Sequence, residues 1–339
     1  MKILVTGGTG FIGSHTVVEL QQKGFEVVIA DDLSNSFIEV VDNIEKITGT
    51  KPAFEKVDLS IAEETRYLFE KHSDIFGVIH FAASKAVGES VQKPLLYYRN
   101  NINSLLNVLE EMKAHNIKNF VFSSSCTVYG QPDELPVSEN APLKKALSPY
   151  GNTKKICEDI IDDVVASSEL QAIKLRYFNP IGAHESALIG EYPQGIPNNL
   201  IPYLTQTAAG IREFVSVYGN DYNTPDGTGI RDYIHVVDLA KAHVIAVERM
   251  INNKTLSKTE IFNIGTGTGY SVLDIIKSFE KVNSIKINYK ITPRREGDIE
   301  KVWADTTYAN NELGWKAERT LDDMMRSAWN WECGLKKTK

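Results

Sequence analysis

The run Ile3-Leu4-Val5-Thr6-Gly7-Gly8-Thr9-Gly10-Phe11-Ile12-Gly13 decides the fold of this 339-residue chain. Its first four residues are typical of a buried strand, and a segment with helical periodicity, His15–Lys23, follows the glycines. Gly7, Gly10 and Gly13 permit a tight turn and let backbone N–H groups approach an anion at the start of the helix. A flexible turn can look the same, but the position between a strand and a helix predicts a dinucleotide-binding loop.

An acidic residue, Asp31, ends the second predicted strand, 18 residues after Gly13. This spacing is typical of the carboxylate that binds the adenosine ribose of a dinucleotide. We expect the residues that follow, which include no Arg or Lys, to border the cofactor: Asp32, Leu33, Ser34, Asn35 and Ser36. Two adjacent carboxylates would repel a 2′-phosphate, so the predicted cofactor is NAD rather than NADP. Asp32 could equally be a solvated turn residue.

Strand-like and helix-like segments alternate through the first half of the chain. The apolar runs are Ile3–Thr6, Val27–Ala30, Phe54–Val57, Val78–Ala82, Phe120–Ser123 and Ile173–Tyr177. Such runs suit strands covered on both faces, and helix-period segments such as Leu95–His115 separate them. The alternation predicts an α/β fold with a Rossmann-type doubly wound parallel sheet.

The pattern changes after Asn179-Pro180, where Asn, Gly and Pro crowd residues 190–230. A strand and a helix return at Asp232–Met250, and Ile261–Ile264 is typical of another strand. We therefore expect an NAD-binding domain from residues 1–179 plus about 231–264. A smaller, discontinuous α+β substrate-binding domain would draw on about 180–230 plus 265–339.

Composition limits the partners and the compartment. Hydrophobic residues make up 42% and charged residues 24% of the chain, and the formal net charge is -7. A mildly acidic chain is a poor general ligand for nucleic acid or acidic membranes, and no run approaches the roughly 18 apolar residues of a membrane helix. Cys126, Cys157 and Cys333 form no Cys-x-x-Cys pair. We expect reduced thiols, a cytoplasmic location and no metal site.

The segment Pro149-Tyr150-Gly151-Asn152-Thr153-Lys154 carries the most chemistry. Ser148 suits an N-cap and Pro149 the first helical position, which places Tyr150 and Lys154 on one helical face. A nearby ammonium and a positive nicotinamide ring would lower the pKa of the tyrosine from about 10. Its phenolate could then take a proton from a secondary alcohol while hydride leaves the same carbon. An ordinary surface Tyr–Lys pair would have the same spacing.

Ser123-Ser124-Ser125 lies at the predicted C-terminal end of a parallel strand, where doubly wound folds bind ligands. A serine, a tyrosine and a lysine downstream of a dinucleotide loop resemble the active site of the short-chain dehydrogenase/reductase superfamily. This resemblance implies catalytic roles for Ser125, Tyr150 and Lys154. The Ser125 hydroxyl would bond the reacting oxygen, and Lys154 would also reach the nicotinamide ribose.

Longer segments resemble the UDP-glucose 4-epimerases of the extended branch of that superfamily. The similar segments are Val5–His15, Lys85–Pro94, Phe122–Gly130, Ser148–Lys154, Leu175–Ala183, Gly195–Pro202, Asp226–Leu239 and Pro293–Asp298. The resemblance extends from Met1 to about Trp331, nearly the whole chain. It implies reversible epimerisation of a UDP-hexose at C4, through a 4-keto sugar, with tightly held NAD that is recycled.

The resemblance implies cofactor contacts in several segments. It places Phe11 and Ile12 in the NAD loop and Asp58 beside the adenine, although Asp58 could instead cap the next helix. The other residues implied at the cofactor are Leu59, Phe81, Ala82, Ala83, Ser84, Lys85, Asn100 and Phe178.

Residues of the second half are implied at the UDP-sugar. They are Asn179, Asn199, Leu200, Arg231, Arg295 and Asp298, with Lys85, Ser125 and Tyr150 reaching the substrate from the cofactor side. The two arginines would clamp the diphosphate, because a planar guanidinium donates two hydrogen bonds at once. Asp298 would accept from a uridine-ribose hydroxyl. Surface ion pairing is the alternative for a lone arginine.

Val302 departs from the family pattern. It precedes Trp303-Ala304-Asp305, where some members carry Tyr, and the position resembles the gate beside the sugar 2-substituent. A bulky Tyr blocks an N-acetyl group, whereas a smaller residue leaves room. The sequence therefore favours additional use of UDP-GlcNAc and UDP-GalNAc, unless neighbouring side chains refill the space.

Four further expectations concern alternatives and assembly. Gly265-Thr266-Gly267-Thr268-Gly269 looks like a second nucleotide loop, but no acid marks a second ribose site, so we interpret it as structural. A nucleotide-sugar 4,6-dehydratase is the nearest rival, but Ser125-Cys126-Thr127 lacks the acid pair of those relatives. A catalytically silent NAD-binding sensor is the second rival interpretation. Family analogy implies a homodimer, through a four-helix bundle from Leu95–His115 and Ile156–Ser167.

Overall fold

A seven-stranded parallel sheet forms the centre of the larger half of the chain. The computed structural model describes residues 1–295 and 298–337, with the backbone alone for Lys336 and Lys337. Glu296 and Gly297, inside the similar segment Pro293–Asp298, lie outside the described residues, as do the last two residues of the predicted substrate domain. Numbered in chain order, the strands of the large sheet are β1 (Lys2–Thr6), β2 (Glu26–Asp31), β3 (Ala53–Lys56), β4 (Ile75–His80), β5 (Asn119–Ser123), β6 (Gln171–Tyr177) and β10 (Thr259–Ile264).

The strand order is β10-β6-β5-β4-β1-β2-β3, and every neighbouring pair is parallel. The order reverses at β1, which pairs with β2 on one side and with β4 on the other. Doubly wound folds bind ligands at such a switch point, beyond the carboxyl ends of the strands. The topology therefore directs attention to the loops that follow β1, β4 and β5.

Helices cover both faces of this sheet. The α-helices of the described chain are α1 (Phe11–Gln22), α2 (Glu39–Thr48), α3 (Ala62–Lys71), α4 (Val87–Gln92), α5 (Pro94–Ala114), α6 (Pro149–Ala166), α7 (Leu200–Ala208), α8 (Val236–Ile251), α9 (Val272–Asn283) and α10 (Leu321–Lys337). Alternate residues of β1 enter opposite cores: Ile3 packs in the cluster that includes Leu239 of α8, whereas Leu4 packs with Leu105 of α5. Burial of each such side chain contributes about 1.5–3 kcal/mol, which explains the continuously apolar strands.

Smaller sheets build the second half. β9 (Ile230–His235) lies between β11 (Gly269–Ser271) and β13 (Lys301–Val302) and also pairs with β7 (Asn179–Ile181). β8 (Val215–Tyr218) pairs in parallel with β12 (Tyr289–Thr292). A separate core, which includes Leu204, Phe279 and Met325, packs α7, α9 and α10 against these strands.

The predicted fold class is confirmed: a Rossmann-type parallel sheet is accompanied by a smaller α+β part. Within the stretch predicted as Asp232–Met250, the chain forms β9 and then α8. β10 completes the large sheet, whereas β9 pairs with strands of the smaller part. In the described part of the chain, no helix has the length and apolar character needed to cross a membrane.

Candidate active site

The glycine-rich loop is packed so closely that side chains would not fit. Gly7 has φ +68°, and a Cβ there would lie 2.9 Å from the backbone nitrogen of Ala82. A Cβ at Gly13 would lie 2.2 Å from the carbonyl oxygen of Gly7. The first turn of α1 has neither a side-chain cap nor an acidic residue. Its backbone N–H groups and helix dipole therefore suit an anionic group such as a pyrophosphate.

Asp31 is anchored beside this loop. Its carboxylate accepts hydrogen bonds from the backbone N–H of Thr9 at 3.1 Å, from that of Leu33 at 3.0 Å and from Ser36 Oγ at 3.0 Å. Asp32 instead accepts from the backbone and hydroxyl of Ser34, which gives it the turn-forming role that the sequence left open. Ser34 and Asn35 are exposed at the rim of the loop.

The loop after β3 holds the residues implied at the adenine. Asp58 accepts from the backbone and hydroxyl of Ser60, at 2.9 and 2.7 Å, and so forms a turn before α3. The helix N-cap is Ile61, so Asp58 does not cap α3. The side chain of Leu59 is buried in the core beside α5, which gives that residue a packing role.

The residues after β4 line the crevice beyond β1. Phe81 and Ala82 lie beyond the end of β4, not within it as the predicted run Val78–Ala82 implied, and both donate backbone hydrogen bonds to Thr6. Ser84 accepts from Asn100 Nδ2 at 3.0 Å, and Ala83 lies half-buried beside it. The Lys85 ammonium is 5.9 Å from the ring centroid of Phe11. The predicted cofactor residues on these loops therefore face the start of α1.

Ser125, Tyr150 and Lys154 converge at the end of β5. Ser125 begins a short 3₁₀ helix, and its hydroxyl interacts with the buried hydroxyl of Tyr150. Ser148 caps α6 by accepting from the backbone of Gly151 at 3.1 Å, as the sequence predicted. The Lys154 ammonium donates to the carbonyl oxygen of Ser123 at 2.8 Å. The three side chains thus reach one place from two adjoining elements.

Burial controls the protonation of these groups. It raises the pKa of Tyr150 well above its ordinary value of 10, and the neighbouring Tyr177 phenol adds to the effect. Burial also lowers the pKa of Lys154 to about 8. The sequence predicted a lowered pKa for Tyr150 from the Lys154 ammonium together with a nicotinamide. In the protein alone, burial outweighs the ammonium, which donates to the Ser123 carbonyl. Positive charge from a nicotinamide would act in the opposite direction to burial.

The substrate-side residues approach from the smaller sheets. Asn179 begins β7, and Arg231 on β9 is opposite Val302 on β13. Val302 is only 3% exposed and packs in one cluster with Phe178, beside the 3₁₀ turn that carries Ser125. The alternative prediction for Val302, that neighbouring side chains fill the space beside the sugar, therefore also has structural support.

The outer residues of the predicted substrate site form pairs of their own. Arg295 pairs with Asp298 at 2.7 Å, and the charges of Arg231 and Asp298 both act on the phenol of Tyr233. Asn199 precedes α7 without capping it, and Leu200 is the first helical residue. Arg231 and Asp298 therefore lie near the same side chain, although they come from distant segments.

The loop of residues 265–269 surrounds a buried carboxylate. Asp232 accepts from the backbone of Thr266 at 2.8 Å, of Gly267 at 3.0 Å and of Ala304 at 3.1 Å. A Cβ at Gly265 would lie 2.5 Å from Asp232 Oδ2. Because an internal anion already occupies these N–H groups, the loop serves as structure and fixes β13, as the sequence interpretation held.

Sequence reasoning missed several residues at this site. Glu191 lies 3.6 Å from Lys85 and accepts from Asn199 Nδ2 at 2.6 Å, so one carboxylate joins two predicted binding residues. Tyr218 lies under the Arg295 guanidinium, 5.5 Å from ring centroid to Cζ. Neither belongs to a local motif. Tyr177 could have been found, because it ends the strand next to β5 at the same edge of the sheet.

The fold and the serine–tyrosine–lysine site define a Rossmann-fold enzyme of the short-chain dehydrogenase/reductase type. A family model described as GDP-mannose 4,6 dehydratase matches residues 4–328. A UDP-glucose 4-epimerase from Dictyostelium discoideum is 51% identical over 332 residues, which cover 98% of this chain and 95% of that relative. The chain belongs to the UDP-glucose 4-epimerase family.

Solved structures of relatives extend this comparison. A UDP-glucose 4-epimerase from Stenotrophomonas maltophila, crystallised with NAD and formylated UDP-arabinopyranose, is 47% identical with a TM-score of 0.96, and both chains are covered completely. One from Bifidobacterium longum, in complex with NAD+ and UDP, is 49% identical with a TM-score of 0.94, and 98% of each chain is covered. The similarity therefore includes the whole arrangement of both halves.

Proposed function

We propose that this chain interconverts UDP-glucose and UDP-galactose by reversible oxidation at C4 of the sugar, with NAD as a resident cofactor. The observation that carries the proposal is the convergence of Ser125, Tyr150 and Lys154 at the carboxyl end of β5, next to the glycine-rich loop. The relatives named above, epimerases bound to NAD and UDP compounds, support the same reaction.

The first half would hold the cofactor. The loop from Gly7 to Gly13 would receive its pyrophosphate, and Asp31 would accept hydrogen bonds from its adenosine ribose. The fit rests on the close packing of those glycines and on the uncapped first turn of α1. When bound, NAD supplies a reversible acceptor for the hydrogen on C4.

Tyr150 is the group that we assign to the proton of the 4-hydroxyl. The Ser125 hydroxyl would hold the same oxygen, and the burial of Tyr150 keeps bulk water from it. Because burial favours the neutral phenol, Tyr150 can act as a base only with positive charge nearby, and the Lys154 ammonium is the protein's own source. The reverse proton transfer returns the proton to the opposite epimer.

The substrate half would retain the intermediate. Arg231 and Arg295 would hold the diphosphate, and Asp298 would hold the uridine ribose. Binding energy spent on the nucleotide keeps a 4-keto sugar from escaping while the hexose turns its other face to the cofactor. Asn199 and Leu200, at the start of α7, would border the same nucleotide.

A dehydratase is disfavoured by the residues of the serine turn, which consists of Ser125 and the 3₁₀ helix Cys126–Tyr129. Elimination of water needs an acid and a base near C5 and C6, and Ser125, Cys126 and Thr127 provide no carboxylate. A catalytically silent NAD-binding protein is disfavoured because the groups assigned to proton transfer, Ser125, Tyr150 and Lys154, are all present at the end of β5. The dehydratase name of the family model describes a broader family.

Four finer features belong to the same proposal. Val302 in place of a bulky residue favours turnover of UDP-GlcNAc and UDP-GalNAc as well. The exposed apolar side chains Val91 on α4 and Leu95, Leu96 and Leu106 on α5 favour a homodimer that uses this surface. The predicted contribution of α6 rests on the family analogy. Unpaired thiols at Cys126, Cys157 and Cys333 favour the cytoplasm. We also propose the division into an NAD-binding domain and a substrate-binding domain with the bounds predicted from the sequence.

Product analysis with labelled substrate tests the reaction. Purified protein without added NAD receives UDP-glucose that carries deuterium at C4, and NMR follows the sugar. We expect UDP-galactose with the deuterium retained at C4, and NAD released when the protein is denatured. Loss of the label to water would exclude the oxidation mechanism, and a 4-keto-6-deoxy sugar would identify a dehydratase.

A further inference from the structure

A fully buried ion pair lies under the turn that carries Ser125. The side chains of Glu158 on α6 and Arg176 on β6 are only 2% and 3% exposed, and Arg176 Nη2 lies 2.5 Å from Glu158 Oε2. Arg176 Nε also donates to Glu158 Oε1 at 3.0 Å. Ion pairs of this kind are expensive to desolvate and contribute little net stability. The other contacts of the two side chains therefore decide what the pair does.

The pair holds both ends of the serine turn. Ser124 Oγ donates to Glu158 Oε1 at 2.5 Å, immediately before Ser125. Arg176 Nη1 donates to the Tyr129 hydroxyl at 3.0 Å, at the last residue of the 3₁₀ helix. Since one ion pair holds the residue before the turn and the last residue of the turn, the position of the Ser125 hydroxyl depends on it.

The same pair joins the turn to the tyrosine helix. Glu158 follows Lys154 by one turn of α6 and so lies on the same face. Lys154 donates to the Ser123 carbonyl at 2.8 Å, while Glu158 accepts from Ser124, so consecutive residues of one strand end are bound by consecutive turns of one helix. Tyr150 is carried by the same helix.

We propose that Glu158, held by Arg176, is a positioning residue for the epimerase reaction. It fixes the serine turn against α6 so that the hydroxyls of Ser125 and Tyr150 point to the same substrate oxygen. The inference rests on the proposed function. Glu158 itself is separated from the substrate by Ser124 and Ser125, and its effect passes through the geometry of the turn.

The chain contains a matched ion pair elsewhere. Arg249 on α8 and Glu260 on β10 are also buried, at 7% and 2% exposed, and Arg249 donates to Glu260 through Nε at 2.7 Å and Nη2 at 2.8 Å. Arg249 also lies over an aromatic ring, as Arg176 does. Its other partner is the carbonyl of Glu312, far from the serine turn in the chain. The second pair therefore resembles the first in its burial, its paired hydrogen bonds and its aromatic contact, but it lacks the contacts with Ser124 and Tyr129.

The variants Glu158→Gln and Glu260→Gln test the proposal. Both should lose similar thermal stability, because each leaves a buried arginine without its counter-ion. We expect kcat to fall about tenfold or more in Glu158→Gln alone, with KM within about twofold, since small misplacement of reacting groups has large effects on rate. The alkaline limb of its kcat profile should move to lower pH, because burial lowers the pKa of Lys154 to about 8 and the Glu158 carboxylate partly offsets that effect.

Two milder variants cover the case in which Glu158→Gln does not fold. Ser124→Ala removes the hydrogen bond to Glu158, and Tyr129→Phe removes the hydrogen bonds to Arg176 and Asn263. Both leave the ion pair intact, and each should lower kcat severalfold at unchanged KM. Full kcat in both, or equal kcat in Glu158→Gln and Glu260→Gln, would overturn the proposal while the epimerase assignment stood. Wild-type protein without C4 interconversion in the same assay would remove both.

Discussion

Arg295 and Asp298 form an ion pair with each other: Arg295 Nη2 donates to Asp298 Oδ1 at 2.7 Å, and its Nε lies 3.2 Å from both carboxylate oxygens. The two side chains are assigned to adjoining parts of one nucleotide, the diphosphate and the uridine ribose. Asp298 therefore orients the guanidinium of Arg295 through Nε and Nη2, along one edge of its plane. The planar, forked geometry of the Arg295 guanidinium therefore matters more for binding the nucleotide than its positive charge alone.

Replacing Arg295 by lysine should weaken substrate binding without slowing the chemistry. Lysine keeps the charge but cannot pair with Asp298 and a phosphate through one rigid plane. We expect KM for UDP-glucose to rise about tenfold and kcat to change less than about twofold, since the clamp acts equally in ground and transition states. Arg294→Lys is the control, because Arg294 pairs with Asp221 instead. Unchanged KM in Arg295→Lys would contradict the clamp assignment.

Val302→Tyr should separate the two substrate classes. A phenol at this buried position of β13 would occupy the room assigned to an N-acetyl group. We expect conversion of UDP-GlcNAc to be lost and that of UDP-glucose to remain, measured by NMR of separate incubations. Val302→Ala should retain both activities. If the wild-type protein converts UDP-glucose but not UDP-GlcNAc, the assignment of Val302 as the residue that admits an N-acetyl group is wrong.

Leu95→Asp should convert the proposed dimer into a monomer. Leu95 is 74% exposed near the start of α5, and burial of such side chains would drive association of the helices. A charge there would have to be desolvated in the interface. Leu256→Asp is a matched control, because Leu256 is 70% exposed at a site away from α5. Light scattering should give a halved mass for Leu95→Asp alone. Equal masses for both variants would exclude this interface.

Acid should destabilise the protein below about pH 6.5, because buried histidines must remain neutral in the folded state. Burial lowers the pKa of His15, His80 and His235 to about 3 and that of His243 to about 4. The unfolded chain binds more protons between those values and 6.5, so stability is present above pH 6.5 and is lost as the pH falls. Each such histidine costs about 2 kcal/mol at pH 5.

His243→Leu isolates one of these contributions. His243 is fully buried, and its Nε2 atom has no hydrogen-bond partner among the described residues. The difference in unfolding free energy between pH 7 and pH 5, from urea titrations, should shrink by about 2 kcal/mol relative to wild type. An unchanged difference would show that His243 does not titrate on unfolding.

The features that sequence predicted best are encoded within one element or at one strand end. The glycine spacing before α1 and the Ser148–Pro149 cap depend on neighbours a few residues apart, and the acid at the end of β2 follows the last glycine of the same motif by 18 residues. Local spacing alone therefore suffices to place those positions on a parallel sheet. The assignment of individual residues to NAD and UDP remains a prediction.

Features that depend on distant partners were not predictable in the same way. In the sequence, Glu158 is one of several charged residues on a predicted amphipathic helix. Only the packing of α6 on β5 and β6 shows its contacts with Ser124 and Arg176. Glu191 lies in a segment without periodicity. The raised pKa of Tyr150 results from burial by several segments, whereas the sequence showed only the lysine one helical turn away.

The central claim is that the Tyr150 hydroxyl moves the proton of the sugar. Its most direct test is the rate of UDP-galactose conversion by Tyr150→Phe at saturating substrate, with bound NAD measured in the same preparation. We predict a fall of about 100- to 10,000-fold with cofactor content unchanged, as expected for loss of a general acid–base group. A phenylalanine variant that interconverts the C4 epimers at the wild-type rate would contradict the account.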